Sequence, residues 1–312
     1  MKRIGNLYNN ICLMKNIMAA YDEVCRNTKN KTKVNNYKQY KCIYSSRIQE
    51  ILVNKKYKPG PFRRFKIYEP KERVICCQTM LDKVVNHLVS RYILYPAIMP
   101  CLLDINVASR PKLGTSKGLE LEKKYSRICK QKYGNYYILK FDIEKFFASI
   151  NKEILKEKLK KRIKDKDAIK IVFDIIDNEI EGLGIGSMTS QTLAIFYLND
   201  LDHFVKERLK IKYYIRYQDD GLLFHQSKEY LKECLEEMKK FLKKEALVLN
   251  KKTRIYSVKD NFIFLGKNGR QKYARYRTVK RKINKRNYLY KSNQIELNSL
   301  VSTLINYEQL TK

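Results

Sequence analysis

The chain has 312 residues, 44% of them hydrophobic, enough for one large domain or two modest ones with a buried core. Its 66 Lys and Arg against 32 Asp and Glu leave a formal charge of +34, which repels itself unless a polyanion lies nearby and makes nucleic acid the natural partner. No apolar run approaches the ~20 residues of a membrane span, and Met1-Lys2-Arg3-Ile4-Gly5 opens no apolar signal core, so a cytoplasmic protein with no membrane partner is expected.

Residues 1–58 read as basic helices with polar turns near Asn27–Asn36, ended by the breaker Pro59-Gly60-Pro61. Phe62–Tyr68 alternates like an edge strand. Pro70-Lys71-Glu72-Arg73 is a charged turn, and Val74–Cys77 a second short strand. Leu81–Tyr95 carries Val84, Leu88 and Tyr92 on one helical stripe. A basic loop over Arg110–Gly118 leads into a helix to about Lys132. Tyr136–Asp142 is β-branched and aromatic, the pattern of a buried strand, and helices follow from Lys152 to about Asn178. Gly182-Leu183-Gly184-Ile185-Gly186 is a flexible loop before a long helix over Thr189–Lys210. Tyr213–Phe224 reads as a hairpin turning at Tyr217-Gln218-Asp219-Asp220, then comes a helix over Lys228–Glu245. Val248 and Ile255 mark strand material, and Phe262–Gly266 a short apolar segment. The hairpin demands antiparallel pairing among alternating helices and strands, so the fold class is α+β. From Asn261 to Ile295 the chain has no acidic residue, eleven basic ones and interleaved tyrosines, a pattern suited to tracking a nucleic-acid backbone. The eight cysteines form no Cys-x-x-Cys pair and the three histidines are scattered, so buried reduced thiols are expected and no zinc site.

Three carboxylates carry the chemistry. Asp142 ends an apolar strand, and Asp219 and Asp220 sit at an apolar hairpin turn. Like charges held together there are costly without a cation, and converging strand-end carboxylates are what a pair of Mg²⁺ ions needs for phosphoryl transfer. Successive strand residues face opposite ways, so one of the pair, Asp219, is expected to face Asp142, while Asp220 binds more loosely or orients the others. Glu144 is read as a surface ion-pairing residue.

The order of the pieces is more specific than any one of them. Asp142-Ile143-Glu144-Lys145-Phe146-Phe147, Gly184-Ile185-Gly186-Ser187-Met188-Thr189-Ser190-Gln191, Tyr217-Gln218-Asp219-Asp220, Lys252-Thr253 and Phe264-Leu265-Gly266 follow one another along the chain. Together they resemble a reverse transcriptase from Tyr68 to about Arg286. The Ile-Gly-Ser-x-Thr-Ser-Gln form, Arg110-Pro111 with Gly114-Thr115, Tyr68-Glu69-Pro70-Lys71 with Arg73, and Val279-Lys280-Arg281 are similar to the enzymes of diversity-generating retroelements. Gly184 stands where that group usually has Pro, and Gln218 and Gly221 are unusual beside the aspartates.

The resemblance implies a right-hand polymerase fold: fingers mainly 1–112 and 151–181, palm mainly 113–150 and 182–266, and a short basic helical thumb over 267–312. It implies metal contacts at Asp142, Ile143, Asp219 and Asp220 with two Mg²⁺ ions (Mn²⁺ as a substitute in vitro). Arg73 and Lys71 would clamp the nucleotide triphosphate, and Phe147 would be the steric gate against a ribose 2′-OH. Ile185, Gly186 and Gln191 would line the nucleotide site, and Lys252 would protonate the leaving pyrophosphate. Phe264, Leu265 and Gly266 would form the primer grip, while Arg110, Lys112, Arg277, Lys280, Arg281 and Lys282 would contact nucleic acid. Ile185 replaces a Gln common in relatives, and losing that polar check implies low fidelity. The implied partners are dNTPs, a structured template RNA, an RNA–DNA hybrid and a small basic helical accessory protein, with oligomer formation, in a bacterial or phage-encoded system. A bacterial antiphage or abortive-infection reverse transcriptase and a non-catalytic RNA-binding scaffold are the competing readings.

Overall fold

In the computed structural model, residues 3–28, 30–67, 73–179, 181–260, 262–268, 276–301 and 304–305 are described. Four helices open the chain: α1 (Tyr8–Cys12), α2 (Met14–Asn27), α3 (Lys31–Gln39) and α4 (Lys41–Val53). The polar stretch expected to be a turn is largely α3, because Asn30 caps it by accepting the Lys33 N–H at 3.0 Å. Strands β1 (Arg63–Ile67) and β2 (Arg73–Cys77) form a two-stranded antiparallel ribbon.

Helix α5 (Met80–Val89) does not run on as a plain α-helix to Tyr95. A π-turn over Ser90–Leu94 joins it to α6 (Tyr95–Ile98), whose second residue, Pro96, has no N–H to donate, and the widened turn accommodates that loss. Helix α7 (Thr115–Tyr133) leads into β3 (Tyr137–Phe141). Next come the short α8 (Phe146–Ser149), α9 (Lys152–Lys160) and α10 (Lys166–Asp177). The long helix expected over Thr189–Lys210 is instead α11 (Met188–Tyr197), α12 (Asn199–His203) and a π-turn at Phe204–Arg208, broken at Leu198. Strands β4 (Tyr213–Tyr217) and β5 (Asp220–His225) form the expected hairpin. They are followed by α13 (Lys228–Lys244), β6 (Arg254–Ser257), β7 (Ile263–Phe264), β8 (Lys267–Asn268) and α14 (Tyr276–Lys291). Val248 is not in a strand: it is exposed in a loop, and its carbonyl accepts the Glu144 N–H at 2.9 Å.

The central sheet has the order β4-β5-β3-β6, every neighbour antiparallel. Ile105–Val107 extends it, with Val107 N–H donating to the Arg216 carbonyl and Arg216 N–H to Ile105. One face carries Leu139, Phe141, Tyr214 and Leu223 into the main core, which α13 covers with Leu231, Met238 and Leu242. The other carries Ile138, Ile215, Leu222 and Phe224 toward α7 and Phe264. This division follows the period of two along each strand. Asp165 ties the ends of the helical region together. Its Oδ1 accepts the N–H groups of Asp167 and Ala168 at the start of α10, and its Oδ2 those of Leu7 (2.8 Å) and Tyr8 (2.9 Å). All eight cysteines are free thiols. Cys25, Cys101, Cys129 and Cys234 are buried as expected, whereas Cys12, Cys76 and Cys77 are half-buried and Cys42 is exposed. No helix among the described residues is long and apolar enough to cross a membrane.

Candidate active site

Register brings the sequence's carboxylates to one end of the sheet. Phe141 lies opposite Gly221, so Asp142 emerges from β3 beside the hairpin turn of β4 and β5. Tyr217 pairs with Asp220, leaving Gln218 and Asp219 as a two-residue turn in which Gln218 takes a left-handed φ of 54°. Gly221 is a close-approach glycine: a Cβ there would sit 2.3 Å from the Phe141 ring. That ring therefore requires a glycine directly after the two aspartates.

The adjacent carboxylates have different surroundings. Asp220 is held by Lys140 Nζ at 2.7 Å. Burial, then the Asp142 charge and more weakly that of Asp220, push the Asp219 carboxyl up to about 6, with Arg73 opposing the shift. Asp219 thus lies in the turn within reach of the Asp142 charge, and Asp220, the first residue of β5, is ion-paired with Lys140. The Asp142 carbonyl accepts the Asn250 N–H at 2.7 Å, and its own N–H lies 3.4 Å from Thr253 Oγ1. Buried Ile143 bridges to Leu249, which fixes the backbone just beyond Asp142. These hard oxygen donors at one end of the sheet suit a divalent cation such as Mg²⁺ in kind. Among the described residues no three His, Cys, Asp or Glu side chains are already gathered around one ion position.

The turn itself rests on a network that no local pattern announces. Arg216, fully buried in β4, donates from Nε to Asp202 Oδ1 at 2.7 Å and from Nη2 to Asp202 Oδ2 at 2.5 Å. Its Nη1 donates to the Gln218 carbonyl at 2.9 Å, and Nη2 also reaches the Ile195 carbonyl at 3.1 Å. Tyr214 donates its hydroxyl to the same Asp202 at 2.8 Å. Gln218 Nε2 donates to Ser109 Oγ at 2.6 Å, and that hydroxyl lies 3.5 Å from Gln191 Oε1. Asp202 and Ser109 were invisible as site residues; a lone buried Arg in an apolar strand was the one available signal, since such a charge needs a partner.

The loop before α11 spans from β2 to α8. Gly182, at φ 50°, lets the chain turn so closely on α8 that a Cβ would sit 2.2 Å from the Phe147 carbonyl, which accepts the Leu183 N–H at 2.8 Å. The Ile185 carbonyl accepts the Cys76 N–H at 2.9 Å, so half-buried Ile185 and exposed Gly186 lie against β2. The Glu179 carboxylate is buried beneath this loop. Burial raises its pKa, opposed by the Gly184 N–H, the Lys152 and Arg64 charges and the Ser190 hydroxyl. Phe147 is half-buried, edge-on to buried Phe146 at 5.7 Å. Gln191 is exposed at the start of α11.

The remaining expected residues are spread more widely. Arg73 stands exposed at the start of β2, and Lys71 lies outside the described residues. Lys252 is exposed in the turn before β6, one residue from Thr253. Arg110 turns its guanidinium onto its own loop, donating to the carbonyls of Leu103 (2.8 Å) and Asn106 (3.2 Å), whereas Lys112 is exposed. Phe264 is buried, and Leu265 and Gly266, at φ 50° and 76°, make the turn of the β7–β8 hairpin. That hairpin sits on Gly118 of α7, beside the Arg110–Gly114 loop. Lys280 and Arg281 are exposed on α14; the side chains of Arg277 and Lys282 lie outside the described residues.

Two solved structures share this architecture at 14% identity and a TM-score of 0.50. One is an apo telomerase from Candida Tropicalis truncated from its C-terminal domain, matched over 68% of this chain and 53% of that one. The other is a telomerase from Candida albicans in complex with a TWJ fragment of telomeric RNA, matched over 86% of this chain and 56% of that one. The likeness concerns the fold, and the chain spans about half the length of these telomerases. No curated protein gives a significant match to the sequence. A sequence profile described as reverse transcriptase (RNA-dependent DNA polymerase) matches residues 53–268, more than half of the chain and all of the sheet, hairpin and loop described above. With its aspartate-bearing antiparallel sheet and that match, the chain belongs to the reverse transcriptase family.

Proposed function

We propose that this protein is an RNA-templated DNA polymerase whose chemistry is centred on Asp142 and Asp219. The observation that supports it most is that Asp142 and the 217–220 turn come to one end of the sheet, where Phe141 pairs with Gly221 and the Asp142 charge helps burial raise the Asp219 carboxyl to about 6, while neighbouring Asp220 is ion-paired with Lys140. Asp142 and Asp219, with the main chain of Ile143 and help from Asp220, would hold the divalent cations. When bound, such ions activate an attacking hydroxyl and stabilise a leaving oxygen. The chain's own residues supply positioning. Phe147 would exclude a 2′-OH, Arg73, whose charge acts on Asp219, would hold the triphosphate, and Lys252, next to the Thr253 that lies by the Asp142 N–H, would be the proton donor. The β1–β2 ribbon and N-terminal helices act as fingers, the sheet as palm, and α14 as the start of a basic thumb that tracks the RNA–DNA hybrid.

The finer reading is an error-prone enzyme of a diversity-generating retroelement, working with a structured template RNA and a small basic accessory protein. The apolar Ile185 against β2 supports it, because an aliphatic side chain there offers no hydrogen bond to test the incoming pair. Primer extension with dNTPs and Mg²⁺ on an RNA template tests both levels. Wild type should extend and Asp219→Ala should not, with NTPs used poorly; equal incorporation by the two would remove the polymerase reading. Ile185→Gln should lower misincorporation, and an unchanged error spectrum would remove the fidelity reading alone.

A further inference from the structure

Helix α4 is apolar on two faces. Ser45, Ile48 and Leu52 point into the core beside α1, α2 and α5. Tyr40, at the helix start, and Ile43, Tyr44 and Arg47 recur at helical spacing on another face and stay outside; the three apolar ones are 46%, 67% and 41% exposed. A surface helix ordinarily turns charge outward and keeps its large apolar groups inside. Here two phenol rings stand at the surface in edge-to-face contact, their centroids 6.4 Å apart.

The charge around this stripe is predominantly basic. Between Glu23 and Glu50 the sequence holds no acidic residue, but it holds Arg26, Lys29, Lys31, Lys33, Lys38, Lys41 and Arg47. The acids before this run are engaged, Asp22 by Lys41 at 2.7 Å and Glu23 by Arg91 at 2.8 Å, and Glu50, exposed one turn beyond Arg47, is the acid that ends it. Lys33 and Lys38 on the adjoining α3 are exposed. Exposed aromatic rings within a net basic field are the elements of a single-strand platform, where bases stack and phosphates replace released counterions. A basic protein partner would meet like charge here.

We infer that the outer face of α3 and α4 binds single-stranded RNA, by base stacking on Tyr40 and Tyr44 and phosphate neutralisation at Lys33, Lys38 and Arg47. This surface is built from different elements than the Asp142–Asp219 site, and the inference does not rest on the catalytic reading.

The test is fluorescence anisotropy of the full chain with a labelled single-stranded RNA of about 16 nucleotides, the upper end of one such groove. A strand of the same length lacking bases serves as the comparison. Tyr40→Ala/Tyr44→Ala should bind the RNA at least about tenfold more weakly than wild type, yet match it on the baseless strand. Tyr40→Phe/Tyr44→Phe should keep wild-type affinity, and Ile43→Glu should weaken binding without removing either ring. Lys33→Ala/Lys38→Ala should weaken both strands and lower the salt slope by about one to two. Asp219→Ala should leave RNA affinity unchanged, and Tyr40→Ala/Tyr44→Ala should still extend a short pre-annealed primer, which separates this surface from the catalytic reading. Undiminished RNA binding by the double alanine variant, or equal loss on both strands, would overturn the inference. So would a change in oligomeric state by sedimentation with RNA affinity unaltered, which would make the face a contact between copies.

Discussion

Asp202 on α12 and Arg216 on β4 form a fully buried, two-point ion pair, and the same guanidinium carries the carbonyl of Gln218, the residue before Asp219. Breaking such a pair from one side leaves a charge in the core and costs about 3–5 kcal/mol. Asp202→Asn should therefore lower stability by that order, read as the midpoint of urea unfolding. It should also slow primer extension beyond what the lost folded fraction explains, because the turn carrying Asp219 loses its support. Extension scaling with folded protein alone would confine the pair to stability.

Asp219 and Asp142 repel each other in a partly desolvated setting. A divalent cation bound there relieves that repulsion and, binding the folded state alone, adds RT ln(1 + [L]/Kd) of stability. Mg²⁺ should raise the melting temperature of wild type at pH 8, and Asp142→Asn/Asp219→Asn should abolish the increment. Asp220→Asn should retain part of it, since Lys140 already holds that carboxylate. An equal Mg²⁺ response in all three proteins would place the ions elsewhere.

At position 184 a Cβ would approach the buried Glu179 carboxylate to 2.5 Å, and the glycine's N–H also satisfies that carboxylate. Gly184→Pro removes the donor and should cost about 1–3 kcal/mol. Because one interaction is involved, Glu179→Ala combined with Gly184→Pro should be clearly less destabilised than the sum of the single changes, by about 1 kcal/mol or more in a double-mutant cycle. Additive losses would mean that Glu179 does not hold this loop.

Burial alone would raise the Asp165 carboxyl, but four backbone N–H groups outweigh it and hold it below the usual carboxylate range. A carboxyl whose folded pKa is depressed contributes stability that is present above its unfolded pKa of about 3.9 and is lost as pH falls through the folded value. Wild type should thus lose an increment of stability below about pH 4 that Asp165→Asn lacks. At pH 7 Asp165→Ala should be less stable by about 1–2 kcal/mol, the upper range for a helix cap, because the side chain also anchors α1. Parallel acid unfolding curves for wild type and Asp165→Asn would rule this out.

Much of the site was legible without coordinates because its signals are local. The apolar runs Tyr213–Tyr217 and Leu222–Phe224 on either side of a tight turn specify a hairpin, and the apolar run before Asp142 specifies a buried strand. Chain order then made the family recognisable, and a net charge of +34 pointed to a polyanionic partner. Helix boundaries were less legible: the π-turns at Ser90–Leu94 and Phe204–Arg208 leave the apolar stripe nearly intact.

Tertiary structure alone decided the partners. Asp165 meets Leu7 across 158 positions, Ser109 meets Gln218 across 109, and Lys140 meets Asp220 across 80. Hydrogen bonds and ion pairs of that kind leave no periodicity, because each depends on where two separate elements pack and not on neighbours in the chain. Composition and pattern therefore determined that this is a basic α+β polymerase-like chain with three strand-end aspartates. Packing decided that Lys140 takes Asp220, and that Arg216 holds the turn that carries Asp219.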